Sequence, residues 1–424
     1  MVREVCVDGT LFSASLCANL GVFRNECGQH IVVLAILVGR MLKDQARALL
    51  AEVDFPGFHF LLRRVSGRLP LRQKRCLASP TWAREEVQSW RTIAPALDVE
   101  WDAARYCGGV PDYRIALPRR YPAWGLLEAS RLVVMGPDGW ILDRQGRWLS
   151  DHSWFAWAPE KAPRREFTPP VRRIKGHAVL LCSDWAATNY FHFLLDSLSR
   201  LAALEALGIS SQVVDHYLIP ESPAPAAALL LDQLEIPRDK RIVLNPSQAL
   251  EADCLLAPSF PGETCATHPL AVGFLQRSAQ RMRSVDEQFP RRLFVARRAK
   301  NRLLANEKAV WGLLEPLGFT FYDPGSASSQ MQCFAAAEAV VGVHGAALAN
   351  VAFCSPGTPV VEIMPSDHAF PYFQAICSAA GLRYYCVLAQ SSAMRPMDDL
   401  QASPYDFEVD LGHLREALEA AGLR

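Results

Sequence analysis

The chain carries no excess charge of either sign: among its 424 residues Lys and Arg total 44, and so do Asp and Glu. That balance speaks against the basic surface with which a protein holds nucleic acid, so no nucleic-acid partner is expected. With half of the residues hydrophobic, the composition also speaks against disorder. The 12 cysteines include no C-x-x-C pair and follow no regular spacing. Several, such as Cys182, Cys333 and Cys377, fall inside apolar runs where a reduced thiol is a small core residue, which points to a reducing compartment. Long hydrophobic runs are missing as well. The densest near the start, "IVVLAILVG" at 31–39, is about half the length a membrane span needs, and acidic residues precede it where a signal peptide avoids them. The expected location is the cytoplasm, with room for peripheral attachment at the inner face of the membrane. Walker A, G-x-S-x-G, H-E-x-x-H and G-x-G-x-x-G patterns are all absent, and no short repeat or low-complexity tract interrupts the chain.

What is present divides by character. The length predicts two domains, or three. Residues 1–40 read as a poorly ordered extension or an upstream misreading of the start, and Met41 opens a helix, "MLKDQARALLAEV". Between about 100 and 175, Pro, Trp and Arg accumulate, and "VVMGPDGWILDRQGRWLS" reads as short strands joined by P-D-G and Q-G turns. From 177 onward strands alternate with helices: "HAVLLCSD", a helix over 189–208, "DHYLIP", "APAAALLLDQLEI", "RIVLNP" and "CLLAP". After a basic helical stretch at 270–288 a second run follows: "RLFVAR", a helix over 306–317, "FTFYDP", a helix over 327–338, "AVVGV", a helix over 345–353, "PVVEIM", a helix over 372–380 and "RYYCVL". Alternation of this kind predicts parallel sheets covered by helices, hence an α/β fold of two units. A short amphipathic helix closes the chain, and the expected boundaries are 41–280, 281–395 and 396–424.

Two groups of residues stand out. In "NYFHFLLDSLSR", Asn189, His192, Asp196 and Arg200 share one side of a predicted helix whose other positions are apolar. Near the second unit's strand ends, "HGAALAN" places His344, Gly345, Ala346 and Ala347 at a helix start, with small side chains that leave the backbone open to an anion such as a diphosphate. Arg297, which closes "RLFVAR", and Arg298, Lys300 and Arg302 after it reach the same sheet edge; Asn306 then reads as a helix N-cap and Glu307 falls in its first turn. Glu362 interrupts a buried strand, where a carboxylate must pair or accept hydrogen bonds, and a ribose diol offers two. Each has a plainer alternative: a tight turn at His344–Gly345, solvated surface for Arg298 and Lys300, a structural ion pair for Glu362, and mutual satisfaction of His192 and Asp196 in the interior.

Taken in order, "NYFHFLLDSLSRL", "RRLFVARRAKNRLLANE" and "SSQMQCFAAAEAVVGVHGAALANVAFCSPGTPVVEIMP" resemble glycosyltransferase family 61 across roughly 175–366. The resemblance implies a GT-B-like fold, two Rossmann-like parallel-sheet domains facing across a cleft, here with a small β-rich N-terminal portion. It implies an inverting transfer of a sugar from a nucleotide-diphosphate sugar to a glycan acceptor, with capsular or other surface polysaccharide as the product. It places donor-binding roles on Arg297, Arg302, Asn306, Glu307, Gln330, His344, Gly345, Ala346, Asn350 and Glu362. Asn189 and Tyr190 fall on the acceptor side. Two departures, Ala296 for a common serine and Ala347 for a common glycine, bear on the donor's fit.

Inversion requires a base for the acceptor hydroxyl, and His192 with Asp196 one turn later supplies one, with either residue able to take the proton. No metal or other cofactor is required if arginines and a helix start hold the leaving diphosphate. Membrane-surface or polysaccharide-assembly partners are compatible with the sequence, which leaves the oligomeric state open. Two rival functions fit the same residues: a non-catalytic nucleotide- or sugar-binding protein, and a nucleotide-sugar epimerase or hydrolase.

Overall fold

The computed structural model describes residues 72–155, 167–282, 289–324 and 329–424, with four short strands, Val5–Val7, Thr10–Phe12, Val22–Arg24 and His30–Val32, ahead of them. The helix expected from Met41, most of the 1–40 extension and residues 283–288 and 327–328 of two further expected helices lie outside the described residues.

The alternating pattern after residue 170 produces a parallel arrangement, because strands covered on both faces must be apolar throughout and strand-to-strand crossovers need a helix. Val171–Leu180, His216–Pro220, Arg241–Leu244 and Ala249–Pro258 pair in parallel, in the spatial order third, second, first, fourth. The order reverses between the first and fourth strands, and a crevice opens beyond their carboxyl ends at such a reversal. The expected meander forms too. Val133–Met135 and Trp140–Leu142 join across P-D-G, and Trp140–Leu142 joins Arg147–Leu149 across a turn in which Asp143 Oδ1 accepts from the backbone N–H groups of Gln145 and Arg147. This meander extends the parallel strands instead of standing apart: Val133–Met135 and Trp124–Ala129 both pair antiparallel with Ala249–Pro258, giving one mixed sheet of ten strands among the described residues.

The second sheet has five parallel strands in the order second, first, third, fourth, fifth: Thr320–Tyr322, Arg292–Val295, Ala339–Val343, Pro359–Pro365 and Arg383–Ser391. Its reversal lies between Arg292–Val295 and Ala339–Val343, so the crevice falls at Ala296–Arg302 and His344–Ala346. Gly318 and Gly381 end the two helices that precede strands Thr320–Tyr322 and Arg383–Ser391, each in the left-handed conformation that glycine adopts without a steric cost. Arg105–Cys107, from far upstream, adds a parallel strand beside Arg383–Ser391. The closing helix, Leu411–Ala420, is capped by Asp410 and turns Leu414, Ala417 and Leu418 into this sheet's core. One hydrophobic cluster runs continuously from Leu194, Leu195 and Leu198 to Phe334, Leu348, Phe353 and Phe373, so the helices of the two sheets share a core. Among the described residues no helix is long and apolar enough to cross a membrane.

Two expected helices differ in kind. Residues 189–208 do not run as one α-helix: Tyr190–His192 is α-helical, Phe193–Ser197 widens into a π turn, Leu198–Arg200 tightens, and Leu201–Ala206 resumes. Residues 345–353 form a tight 3-10 helix over Ala346–Phe353.

Candidate active site

Both crevices open into one cleft. Asn189, Phe191 and His192 line it from the first unit; Arg302, His344, Gly345, Ala346, His368, Phe370, Tyr372 and Phe373 line it from the second. Nearly all of these residues follow the carboxyl end of a parallel strand, which is where chain reversal leaves side chains and helix starts unused by the sheet.

On the first side, the Asn189 side chain accepts from the Phe191 N–H and so starts the helix. His192 Nδ1 lies 2.5 Å from Asp196 Oδ2, and the same oxygen accepts from Trp154 Nε1 at 2.9 Å. Trp154 is fixed in turn by Asp184, which accepts from its backbone N–H. In the tautomer that donates Nδ1–H to this carboxylate, the ring's basic atom is Nε2. The His192–Asp196 pair is a contact between residues four apart, whereas Arg200, beyond the π turn, points elsewhere. Arg200 is fully buried and donates to the backbone carbonyls of Asp196, His152 and Pro258, so it is a structural cation and not a member of the polar stripe. A π turn within an α-helix is frequent at functional sites.

On the second side, Arg302 is 9% exposed, and its buried Nε and Nη1 have no hydrogen-bond partner among the described residues. Its backbone is left-handed, at φ 55°, a conformation that costs a residue with a side chain about 1–2 kcal/mol. Burial and the neighbouring Arg297 push its pKa down to about 9. Arg297 donates from Nε to the Asn301 carbonyl and lies against Gly345, where a Cβ would stand 2.7 Å from its Nη1. His344 is buried, with Nδ1 2.5 Å from Glu362 Oε1, and Tyr384 donates to the other carboxyl oxygen at 2.6 Å. Burial, then Arg302 and Arg297, holds His344 well below the usual imidazole range.

Several residues singled out from the sequence have other duties. Glu362 is fully buried with both oxygens engaged, so the ribose role gives way to orienting His344. Asn306 stands at a helix start without capping it; its amide clamps Val409, donating to the carbonyl and accepting from the N–H. Glu307 pairs with Arg298, whose guanidinium lies over the Phe321 ring, a surface arrangement. Gln330, Asn350 and Tyr190 form one chain: the Tyr190 hydroxyl donates to Asn350 Oδ1, and Asn350 Nδ2 donates to Gln330 Oε1. It ties the two units together behind the cleft instead of lining it.

The sequence reading missed His368, Phe370 and Tyr372. His368 is buried with Nδ1 unpartnered among the described residues, and burial beside Arg302 drives its pKa far down, keeping it neutral. Phe370 and Tyr372 stack with ring centroids 5.2 Å apart. The signal available was position: "SDHAFPYF" follows the carboxyl end of strand Pro359–Pro365.

Across the cleft, a buried guanidinium without a partner among the described residues, beside neutral imidazoles and an aromatic wall, faces a histidine–carboxylate pair, an arrangement in which an anion could lie opposite a base. Residues 190–361 match the family model for glycosyltransferase 61, which supports assigning the chain to that family of sugar transferases. The match opens at Tyr190 and stops one residue before Glu362. No curated protein matches the chain.

Proposed function

We propose that the protein transfers a sugar from a nucleotide-diphosphate sugar to a glycan acceptor with inversion, in a GT-B-like arrangement with the acceptor side on 41–280 and the donor side on 281–395. The observation that carries this reading is Arg302. A buried guanidinium with unused donors costs stability in the free protein and gains its partners when a phosphate enters. Arg297, packed on Gly345, adds a second positive charge, and the first turn of Ala346–Phe353 adds free backbone N–H groups. The acceptor oxygen attacks the anomeric carbon as its proton passes to Nε2 of His192. The carbon–oxygen bond to the diphosphate breaks, and Arg302 receives the charge that collects on the leaving oxygen. Asp196 and Trp154 hold the His192 ring and stabilise its protonated form. The stacked Phe370 and Tyr372 offer an apolar wall to the donor. Capsular or other surface polysaccharide is the proposed destination, with the protein in the cytoplasm or at the inner face of the membrane.

His192→Gln tests the assignment. Transfer should fall by about 10²–10⁴ in kcat, while donor affinity, measured by calorimetry, stays within roughly threefold. Retained transfer would remove His192 as the base. Consumption of the donor at the full rate with no acceptor present would replace transfer by hydrolysis.

A further inference from the structure

Two histidine–carboxylate pairs face one cleft, and they are built differently. Asp196 Oδ2 accepts the indole N–H of Trp154 and meets His192 Nδ1. Glu362 is completely buried and accepts a hydroxyl hydrogen bond from Tyr384 at one oxygen, and among the described residues no lysine or arginine pairs with it. Its other oxygen meets His344 Nδ1. The neighbours on every packed element leave it so. Arg297 and Arg302, on the loop after Arg292–Val295, act on His344, where they oppose a positive imidazole. His368, after Pro359–Pro365, is itself held neutral. From the remaining elements come Tyr113, Tyr372, Cys377, Tyr384 and Cys386, whose phenols and thiols burial keeps protonated. An ionised Glu362 would be a buried, uncompensated charge, and an imidazolium at His344 would sit among arginines.

We propose that Glu362 keeps its carboxyl proton and donates it as a hydrogen bond to Nδ1 of His344, so that the ring presents an Nε2–H donor to the leaving diphosphate beside Arg302. His344 then works in the opposite sense to His192: one imidazole accepts a proton from the acceptor, and the other gives a hydrogen bond to the departing group. Glu362 is a positioning residue, acting through the tautomer it imposes. When Glu362 ionises, the hydrogen bond reverses, Nδ1 carries the proton and Nε2 can only accept. Burial places that ionisation at about 8. The inference rests on the donor-site reading above for what the Nε2–H faces, but the tautomer can be observed without it.

The test is Glu362→Gln, whose amide N–H can donate to Nδ1 while its carbonyl accepts from Tyr384 at any pH. In ¹⁵N spectra of the full-length protein, His344 should carry its proton on Nε2 at pH 7 and move it to Nδ1 above pH 8, whereas in Glu362→Gln it should stay on Nε2 throughout. A proton on Nδ1, or a doubly protonated ring, at pH 7 overturns the proposal. In parallel, the tightest binder among UDP, GDP and CDP is titrated into both proteins at pH 7 and 9.5. The ratio of their affinities cancels the ionisation of the ligand and of Arg302. Glu362→Gln should match wild type within about threefold at pH 7 and exceed it about tenfold at pH 9.5, while Glu362→Ala is weak at both. Equal pH dependence in wild type and Glu362→Gln overturns the donor role of His344. Binding of none of the three to a folded wild type would defeat the donor-site reading, and the spectra alone would then decide the tautomer.

Discussion

Among the described residues Arg302 stands at odds with its surroundings: buried, strained in its backbone and without a partner for Nε and Nη1. Such a residue is kept for what it binds, so removing its charge should help the free protein and harm the bound one. Arg302→Met is predicted to raise the Tm of the ligand-free protein by roughly 2–4 °C and to abolish stabilisation by a nucleoside diphosphate, read by differential scanning fluorimetry. A lower Tm with nucleotide stabilisation intact would mean that Arg302 is structural. At this scale much was legible in the sequence. Arginines and a His–Gly–Ala run at strand ends carry their chemistry in their residue types, and His192 and Asp196 carry theirs in a four-residue spacing. The partner of each group was not legible. Glu362 as a lone acid in an apolar strand said only that it must be satisfied, and its satisfaction by His344 and Tyr384 depends on strands and turns brought together by the fold.

At the scale of elements, the segment 189–206 shows where periodicity stops being informative. The polar stripe assumed one uninterrupted α-helix, but the π turn at Phe193–Ser197 takes up extra chain, leaving the His192–Asp196 pair facing one way and Arg200 another. No local residue preference marks such a turn, in which Asp196 accepts the Trp154 indole N–H. The Gln330–Asn350–Tyr190 chain is likewise a product of two elements meeting. Asn350→Ala would leave a buried hydroxyl and a buried amide without partners, at a cost of about 1–3 kcal/mol. The expected outcome is a lower denaturation midpoint with nucleotide affinity unchanged. The reverse pattern, full stability with lost affinity, would return Asn350 to the donor site. Gly318 and Gly381, by contrast, each follow directly on a helix expected from the sequence, over 306–317 and 372–380, since a left-handed cap is a local requirement.

For the whole molecule, alternation of strands and helices was enough to anticipate two parallel arrangements, because burial on both faces imposes a pattern on each strand by itself. Sheet membership was beyond it. The meander of 124–149 joins the first parallel strands, and Arg105–Cys107 crosses to the second sheet, through pairings between residues more than 100 positions apart that leave no local mark. The same folding brings the two switch points to one cleft, and sugar transfer needs both: an anion site on one wall and a base on the other. A crystal structure of the protein soaked with a sugar nucleotide, chosen from those that raise its Tm, examines that requirement directly. The diphosphate should lie within hydrogen-bond distance of the Arg302 guanidinium, with the anomeric carbon turned toward Nε2 of His192. A nucleotide seated away from Arg302, or an anomeric carbon turned from His192 toward the core, would contradict it.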